Sequence, residues 1–349
     1  MCESQHLFRG GRQMTIKVDT GLATRTVRLP TWAFLDGEII PYAEARFGLF
    51  THALHYGTGL FAGVRAYWND EERQLFVFRP EDHFRRFRDS ARLLRMDLDY
   101  SVDELTRATV DLLRREGYEQ DVYIRPLAFY GDESLGVRLH DLSPPRVGIA
   151  TLPTQFLDRG DGAHVCFSSW QRVSDNTIPP RGKLAGSYVN SAMAKTDAVL
   201  AGFDEALMLN EAGHVCEGSV ENIFIVRRGE VLTPPITDDV LEGITRSTMI
   251  ELATELGHTV VERSIDRTEV YLADEAFFCG TGIQLTPITR VDHRLIGSGA
   301  PGPITSAIRD LFFDVVRGRS ARHRGWCRPV FEKLRPEAER QAAVAGAKV

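Results

Sequence analysis

The sequence predicts an α/β protein built as two units. Three observations carry this. The chain has 349 residues, about twice the roughly 150 typical of one domain. Short apolar, strand-like runs alternate with windows of helical period. A polar stretch near mid-chain, Pro153 to Gly162, gathers Asp158, Gly160, Asp161 and Gly162. The expected division is a tail over 1–30, a smaller α/β unit over 31–152, a linker over 153–162, a larger unit over 163–330 and a tail over 331–349.

The elements follow in order. Residues 1–30 are polar without a clear period, hence the tail. Phe34 to Ile40 reads as a hairpin turned by Asp36-Gly37. Val64 to Trp68 and Leu75 to Phe78 read as strands around the turn Asn69-Asp70-Glu71. A helix is expected from Pro80, a residue suited to the first helical position, to about Met96, with Phe84, Phe87, Ala91 and Leu94 at helical spacing. Ser101 and Glu104 form a capping box for a second helix ending near Gly117. Val122 to Phe129 and Val147 to Thr151 complete the smaller unit as strands. The larger unit alternates strands (Val165 to Trp170, Glu205 to Leu209, Asn222 to Val226, Glu275 to Cys279) with helices (Tyr188 to Gly202, Thr245 to Gly257, Ile304 to Arg317).

Composition removes several function classes. A chain this long buries roughly three quarters of its unfolded surface, so it needs no disulfide or structural metal to fold. No apolar run approaches the roughly 20 residues of a membrane span, and no apolar stretch follows Arg9 and Arg12 as in a secretory signal. A net charge of −6 argues against a protein held on nucleic acid by phosphate contacts. Five scattered cysteines without CxxC spacing read as free thiols in a reducing, cytoplasmic setting. His52 and His55 lack a completing ligand, so no metal is expected. Gly280-Thr281-Gly282 lacks the third glycine of a dinucleotide fingerprint, and neither a G-x-S-x-G elbow nor a Walker A sequence occurs.

Lysine is scarce. Only Lys17, Lys183, Lys195, Lys333 and Lys348 occur, so chemistry that needs an amine has few candidates. Lys17, Lys333 and Lys348 lie in polar end segments. Lys195 lies within a helix as an ordinary charge that can pair with the Asp197 or Glu205 regions. Lys183 closes Asn176-Thr177-Ile178-Pro179-Pro180-Arg181-Gly182-Lys183, a defined loop just before a helix. Tyr188 stands five residues on, and Glu217-Gly218 follows on a later strand turn. Lysine, tyrosine and glutamate are the types a pyridoxal-phosphate site needs. The amine forms the Schiff base and carries protons, a carboxylate keeps the ring nitrogen protonated, and a phenol bonds the ring hydroxyl oxygen. The phosphate needs a helix N-terminus and an arginine. Leu241-Glu242-Gly243-Ile244-Thr245-Arg246 enters a helix, with Thr245 placed as cap, although a capped helix with no anion would look similar.

Glu217-Gly218-Ser219-Val220-Glu221-Asn222-Ile223-Phe224, then Val231-Leu232-Thr233, then Leu241 to Arg246, resembles the long signature of class IV aminotransferases, enzymes of pyridoxal-phosphate fold type IV. Within that family the chain resembles branched-chain-amino-acid aminotransferases. Supporting stretches are His52 to Thr58, Phe61 to Arg65, Tyr123 to Leu127 and Tyr271 to Glu275, and the resemblance runs over about residues 32–328. It implies a small N-terminal α/β domain and a larger domain with a pseudo-barrel sheet.

Carried over by position, the resemblance implies that Lys183 is the catalytic, Schiff-base lysine and Glu217 the ring-nitrogen partner. Tyr188 meets the ring hydroxyl, Arg86 and the amides at Ile244 and Thr245 hold the phosphate with Thr281 nearby, and Leu241 packs on the ring. Thr281, Gly282 and Tyr123 would hold the substrate α-carboxylate. Tyr56, Phe61, Gly63 and Arg125 would line the side-chain pocket, with Arg125 held by Tyr56 to receive a second carboxylate. The implied reaction is ping-pong transfer from leucine, isoleucine or valine to 2-oxoglutarate. The implied assembly is a homodimer crossing at Leu135, Gly136 and Val137. Departures from the family pattern at Thr154-Gln155-Phe156-Leu157 and Gly282-Ile283-Gln284 leave a specialised aminotransferase open, and the nearest rival on the same fold is an aminodeoxychorismate-type lyase, which Tyr56 and Tyr123-Ile124-Arg125 disfavour.

Overall fold

The computed structural model describes residues 15–19, 24–153 and 160–332. Two sheets carry the architecture. The first is wholly antiparallel, in the order Cys327–Pro329, Gln74–Phe78, Val64–Asn69, Val122–Phe129, Arg146–Pro153, Trp32–Leu35, Glu38–Pro41, with Gly59–Phe61 added on Val122–Phe129. Its first hairpin turns on Asp36 (φ 47°) and Gly37 (φ 98°), the pair of positive φ values that a two-residue turn between right-twisted strands requires. The helices Pro80–Leu93 and Val102–Glu116 pack on it. In the second, the Ser101 hydroxyl accepts from the Glu104 N–H while the Glu104 carboxylate accepts from the Ser101 N–H, the expected capping box.

The second sheet curls. From Val215–Gly218 it runs through Glu205–Leu209, Ala163–Phe167, Gln284–Val291 and Glu275–Gly280 to Asn222–Arg227, which pairs back with Val215–Gly218 and closes a six-strand barrel-like ring. Closure passes through one register pair, Glu217 opposite Asn222. Glu230–Thr233 and Val260–Glu262 extend it beyond Asn222–Arg227, and Arg294–Leu295 pairs with Gln284–Val291. Helices Tyr188–Leu200, Ile244–Glu255 and Pro303–Val316 surround it. A shared core joins the two sheets: Tyr67, Phe76 and Phe78 of the first pack with Phe224, Phe277 and Phe312 of the second unit, all buried.

Three features differ from the sequence reading. The segment expected as a tail contains an antiparallel hairpin, Thr15–Asp19 with Thr24–Arg28, whose Thr, Ile and Val residues favour extended backbone more than its charges disfavour it. Strands Val215–Gly218, Glu230–Thr233 and Gln284–Val291 were not expected. The last is buried at nearly every position, so it lacks the alternation that marks a half-exposed strand. Cys327–Pro329 crosses back from the second unit to pair with Gln74–Phe78. The departure at Thr154 to Leu157, most of the expected linker, the first fourteen residues and nearly all of the C-terminal tail lie outside the described residues.

Candidate active site

Between the sheets lies a cavity of about 730 Å³. Of the residues that the resemblance assigns to cofactor or substrate, all but Tyr56 line it. Lys183 sits on the loop between strand Ala163–Phe167 and helix Tyr188–Leu200. Its carbonyl accepts from the Phe61 N–H (3.1 Å), and its own N–H donates to the Ser90 hydroxyl (3.1 Å). Ser90 in turn donates to the Arg86 carbonyl, so the helix bearing Arg86 and the loop bearing Lys183 are tied together. Gly182 allows the approach: a Cβ there would stand 2.7 Å from Leu93. The Lys183 amine lies 5.4 Å from the Phe61 ring centre and 5.3 Å from that of Tyr188. Burial, then the Arg86 and Arg125 guanidinium groups, push it down to about 7, so a large share of it is a free base near neutrality.

Glu217 belongs to the barrel's closing pair. Its carboxylate accepts from Arg172 (2.9 Å) on one oxygen, and from the Asn222 amide (2.9 Å) and the Leu241 N–H (3.2 Å) on the other. Burial pushes this carboxyl upward, while Arg172, the Leu241 amide and Lys183 pull it back. An arginine stays protonated in a protein, so the pair holds a carboxylate in a place that would otherwise favour the acid. Arg172 did not stand out in the sequence, and Asn222 entered only as part of the signature run, without a role. Arg172 follows a strand in a polar loop, and only the fold brings it to Glu217.

At the other end, Arg86 donates to the Glu242 carbonyl (2.9 Å) beside the start of helix Ile244–Glu255. Thr245 is not the cap expected of it. Gly243 is, and it offers no side chain to the leading amides, which leaves them for a ligand anion. Gly243 is confined as well, since a Cβ there would fall 2.0 Å from the Asn222 Oδ1. The Tyr188 phenol is pushed up by burial and by Glu217, so it stays a protonated donor. Lys195, expected as an ordinary surface charge, is half-buried and donates to Glu205 (2.6 Å).

Another part of the wall is made by Phe61, Gly63, Tyr123 and Arg125. Arg125 lies over the Phe61 ring (4.4 Å) and donates to the Tyr123 hydroxyl (2.9 Å). It is not held by Tyr56. That phenol accepts from the Gly136 N–H (3.0 Å) on the outer surface, because the short helix His52–Tyr56 points it at the 131–145 loop instead of the cavity. Gly63 abuts Tyr123: a Cβ would stand 2.4 Å from the phenol oxygen.

A buried amine, a carboxylate fixed by arginine and a bare helix N-terminus beside a second arginine, all on one cavity, define the donor set of a pyridoxal-phosphate enzyme. The chain belongs to the class IV aminotransferases, whose family model matches residues 59–291. That family works with pyridoxal phosphate, and the cavity has the residues to hold it. Among relatives, the chain is 45% identical to the probable branched-chain-amino-acid aminotransferase of Aquifex aeolicus over 303 residues, covering 86% of this chain and 97% of that one. It is similar to the holo-form of the branched-chain amino acid aminotransferase from Thermobaculum terrenum (TM-score 0.83, 43% identity, 87% of this chain and 99% of that one). It is also similar to the branched-chain aminotransferase of the thermophilic archaeon Thermoproteus uzoniensis with norvaline (TM-score 0.83, 41% identity, 86% of this chain and 100% of that one).

Proposed function

We propose that this chain is a branched-chain aminotransferase that takes the amino group of leucine, isoleucine or valine and, in a second half-reaction, delivers it to 2-oxoglutarate. The observation that carries the reading is the facing of Lys183 and Glu217 across one cavity whose substrate side pairs aromatic walls with Arg125. Bound pyridoxal phosphate supplies an electron sink. Arg86 and the amides at Ile244 and Thr245 hold its phosphate, Tyr188 its ring hydroxyl, and Glu217, kept ionised by Arg172, keeps its ring nitrogen protonated. With that group bound, Lys183 would take the substrate α-proton on Nζ as general base and deliver it to the cofactor side, a role that suits an amine titrating near neutrality. Tyr123 and the Thr281-Gly282 turn hold the α-carboxylate.

Phe61 and Tyr123 then meet an apolar side chain, and Arg125 the distal carboxylate of the acceptor, for which a planar fork is better suited than an ammonium. The same protein serves both in alternation, hence ping-pong kinetics. Tyr56 and Gly136, with Leu135 and Val137 (67% and 74% exposed), form a surface suited to contact a second copy, so a homodimer in the cytoplasm completes the reading. No helix among the described residues is long and apolar enough to cross a membrane.

The test is a panel of L-amino acids with 2-oxoglutarate, following the cofactor's visible band. Fast bleaching with leucine, isoleucine and valine and recovery with 2-oxoglutarate is expected. A preference for another amino acid, or pyruvate release with no acceptor, replaces the reading with a specialised aminotransferase or a lyase.

A further inference from the structure

The hairpin Thr15–Asp19 with Thr24–Arg28 precedes the stretch over which the chain resembles its family, and it brings Lys17 to the cavity. Lys17 pairs in register with Thr26, and its exposed side chain lines the same cavity as Tyr123, Arg125 and Leu152. Tyr123 and Leu152 are themselves register partners in the first sheet, and strand Thr24–Arg28 packs against Arg146–Pro153, so the hairpin lies against the strand pair that bears Tyr123 and Arg125. Farther along, Arg28 acts electrostatically on Tyr118, whose hydroxyl meets Thr151 (3.3 Å), which places the other end of the hairpin over the same strand pair.

Charges around the cavity are unevenly matched. Glu217 is answered by Arg172 and Glu205 by Lys195. Arg125 and Lys17, both on the substrate side, have no carboxylate partner among the described residues, and the buried Arg125 Nε has no hydrogen-bond partner. A branched aliphatic side chain gives two cations nothing to bind. A substrate with a second carboxylate gives them a shared anion.

We propose that Lys17 is a specificity residue, a second cation beside Arg125 for the distal carboxylate of a dicarboxylate substrate, delivered to the cavity mouth by the N-terminal hairpin. This rests on the reading of 2-oxoglutarate as acceptor. Lys17 is exposed, so its contribution is that of a partly screened ion pair, a factor of roughly five in affinity. A compact ammonium on a flexible stem adds charge without dictating orientation, which Arg125 supplies.

The experiment is calorimetric binding of two unreactive analogues, glutarate and 4-methylpentanoate, to the holoenzyme and its variants. Lys17→Met should weaken glutarate about five-fold and leave 4-methylpentanoate within about two-fold, while Lys17→Arg restores glutarate binding. At about 1 M salt, where screening acts within ~3 Å, the difference for glutarate should vanish. Equal weakening of both analogues would make the hairpin a mere cover, and no change in either would remove Lys17 from recognition; each overturns the proposal. Turnover of 2-oxoglutarate by the unmodified enzyme is measured alongside. If it fails while the Lys17 effect on glutarate holds, the acceptor reading falls alone. If turnover proceeds and glutarate ignores Lys17, this proposal falls alone.

Discussion

Arg172 and Glu217 form a buried ion pair, 2.9 Å apart with side chains 7% and 5% exposed, at the point where the barrel-like ring closes on itself. A buried pair is weak evidence of stability, but removing one partner leaves an uncompensated charge. Arg172→Met should therefore cost about 3 kcal/mol of folding free energy and shift the Glu217 carboxyl toward its acid form. Chemical denaturation reads the first. A weakened hold on pyridoxal phosphate, measured by dialysis, reads the second. A variant of unchanged stability and cofactor affinity would show that Asn222 and Leu241 suffice.

Lys183→Ala should abolish the visible band of the lysine-linked cofactor and lower turnover by at least roughly 100- to 10,000-fold from the lost proton transfer alone. Lys195→Ala should keep the band, since that amine is engaged by Glu205. The reverse result would reassign the reactive lysine.

The Lys183 amine titrates near 7 in the folded protein against 10.5 ordinarily, so between those values the unfolded chain binds the proton and the folded chain does not. The lysine's contribution to the stability of cofactor-free protein therefore rises with pH across that window. Urea unfolding at pH 7 and about pH 9 should show a rise that Lys183→Met reduces. An identical pH dependence in the two proteins would mean the amine is not depressed.

Arg125→Ala should raise KM for 2-oxoglutarate by roughly 30-fold or more, the scale of a lost charge-assisted, two-pronged contact, and that for leucine far less. Steady-state kinetics with each substrate varied decides, and equal losses would refute a pocket shared by apolar and carboxylate side chains.

Gly63→Ala places a methyl 2.4 Å from the Tyr123 hydroxyl. The phenol must swing, breaking its bond to Arg125. Cofactor binding should stay unchanged while kcat/KM falls about ten-fold, on the scale of one misplaced hydrogen bond. Unaltered kinetics would mean that Tyr123 relaxes without consequence.

Much of the fold was legible because its signals are local. The Asp36-Gly37 turn, Pro80 at a helix start and the Ser101–Glu104 box each depend on a few neighbouring residues. That Lys183 and Glu217 belong to one cavity was legible because lysine is scarce and their surroundings form a long signature. The illegible parts depend on distant neighbours. Gln284–Val291 is buried on both faces and shows no alternation. Arg172 acquires meaning only from Glu217, 45 positions away, and Asn222 from the ring closure. Tyr56 went to the outer surface because a residue's direction is set by the short helix beneath it, which spacing alone does not reveal.

Cys327–Pro329 carries a temporal implication. The first sheet takes its edge from this strand, Val330 donates to the Leu75 carbonyl, and Gln74 clasps Phe331 through both ends of its amide. During synthesis the early half therefore waits with Gln74–Phe78 bare until about 250 further positions have left the ribosome, and its final assembly coincides with that of the barrel. A nascent chain halted after Arg146–Pro153 would present that open strand to any neighbour able to pair with it.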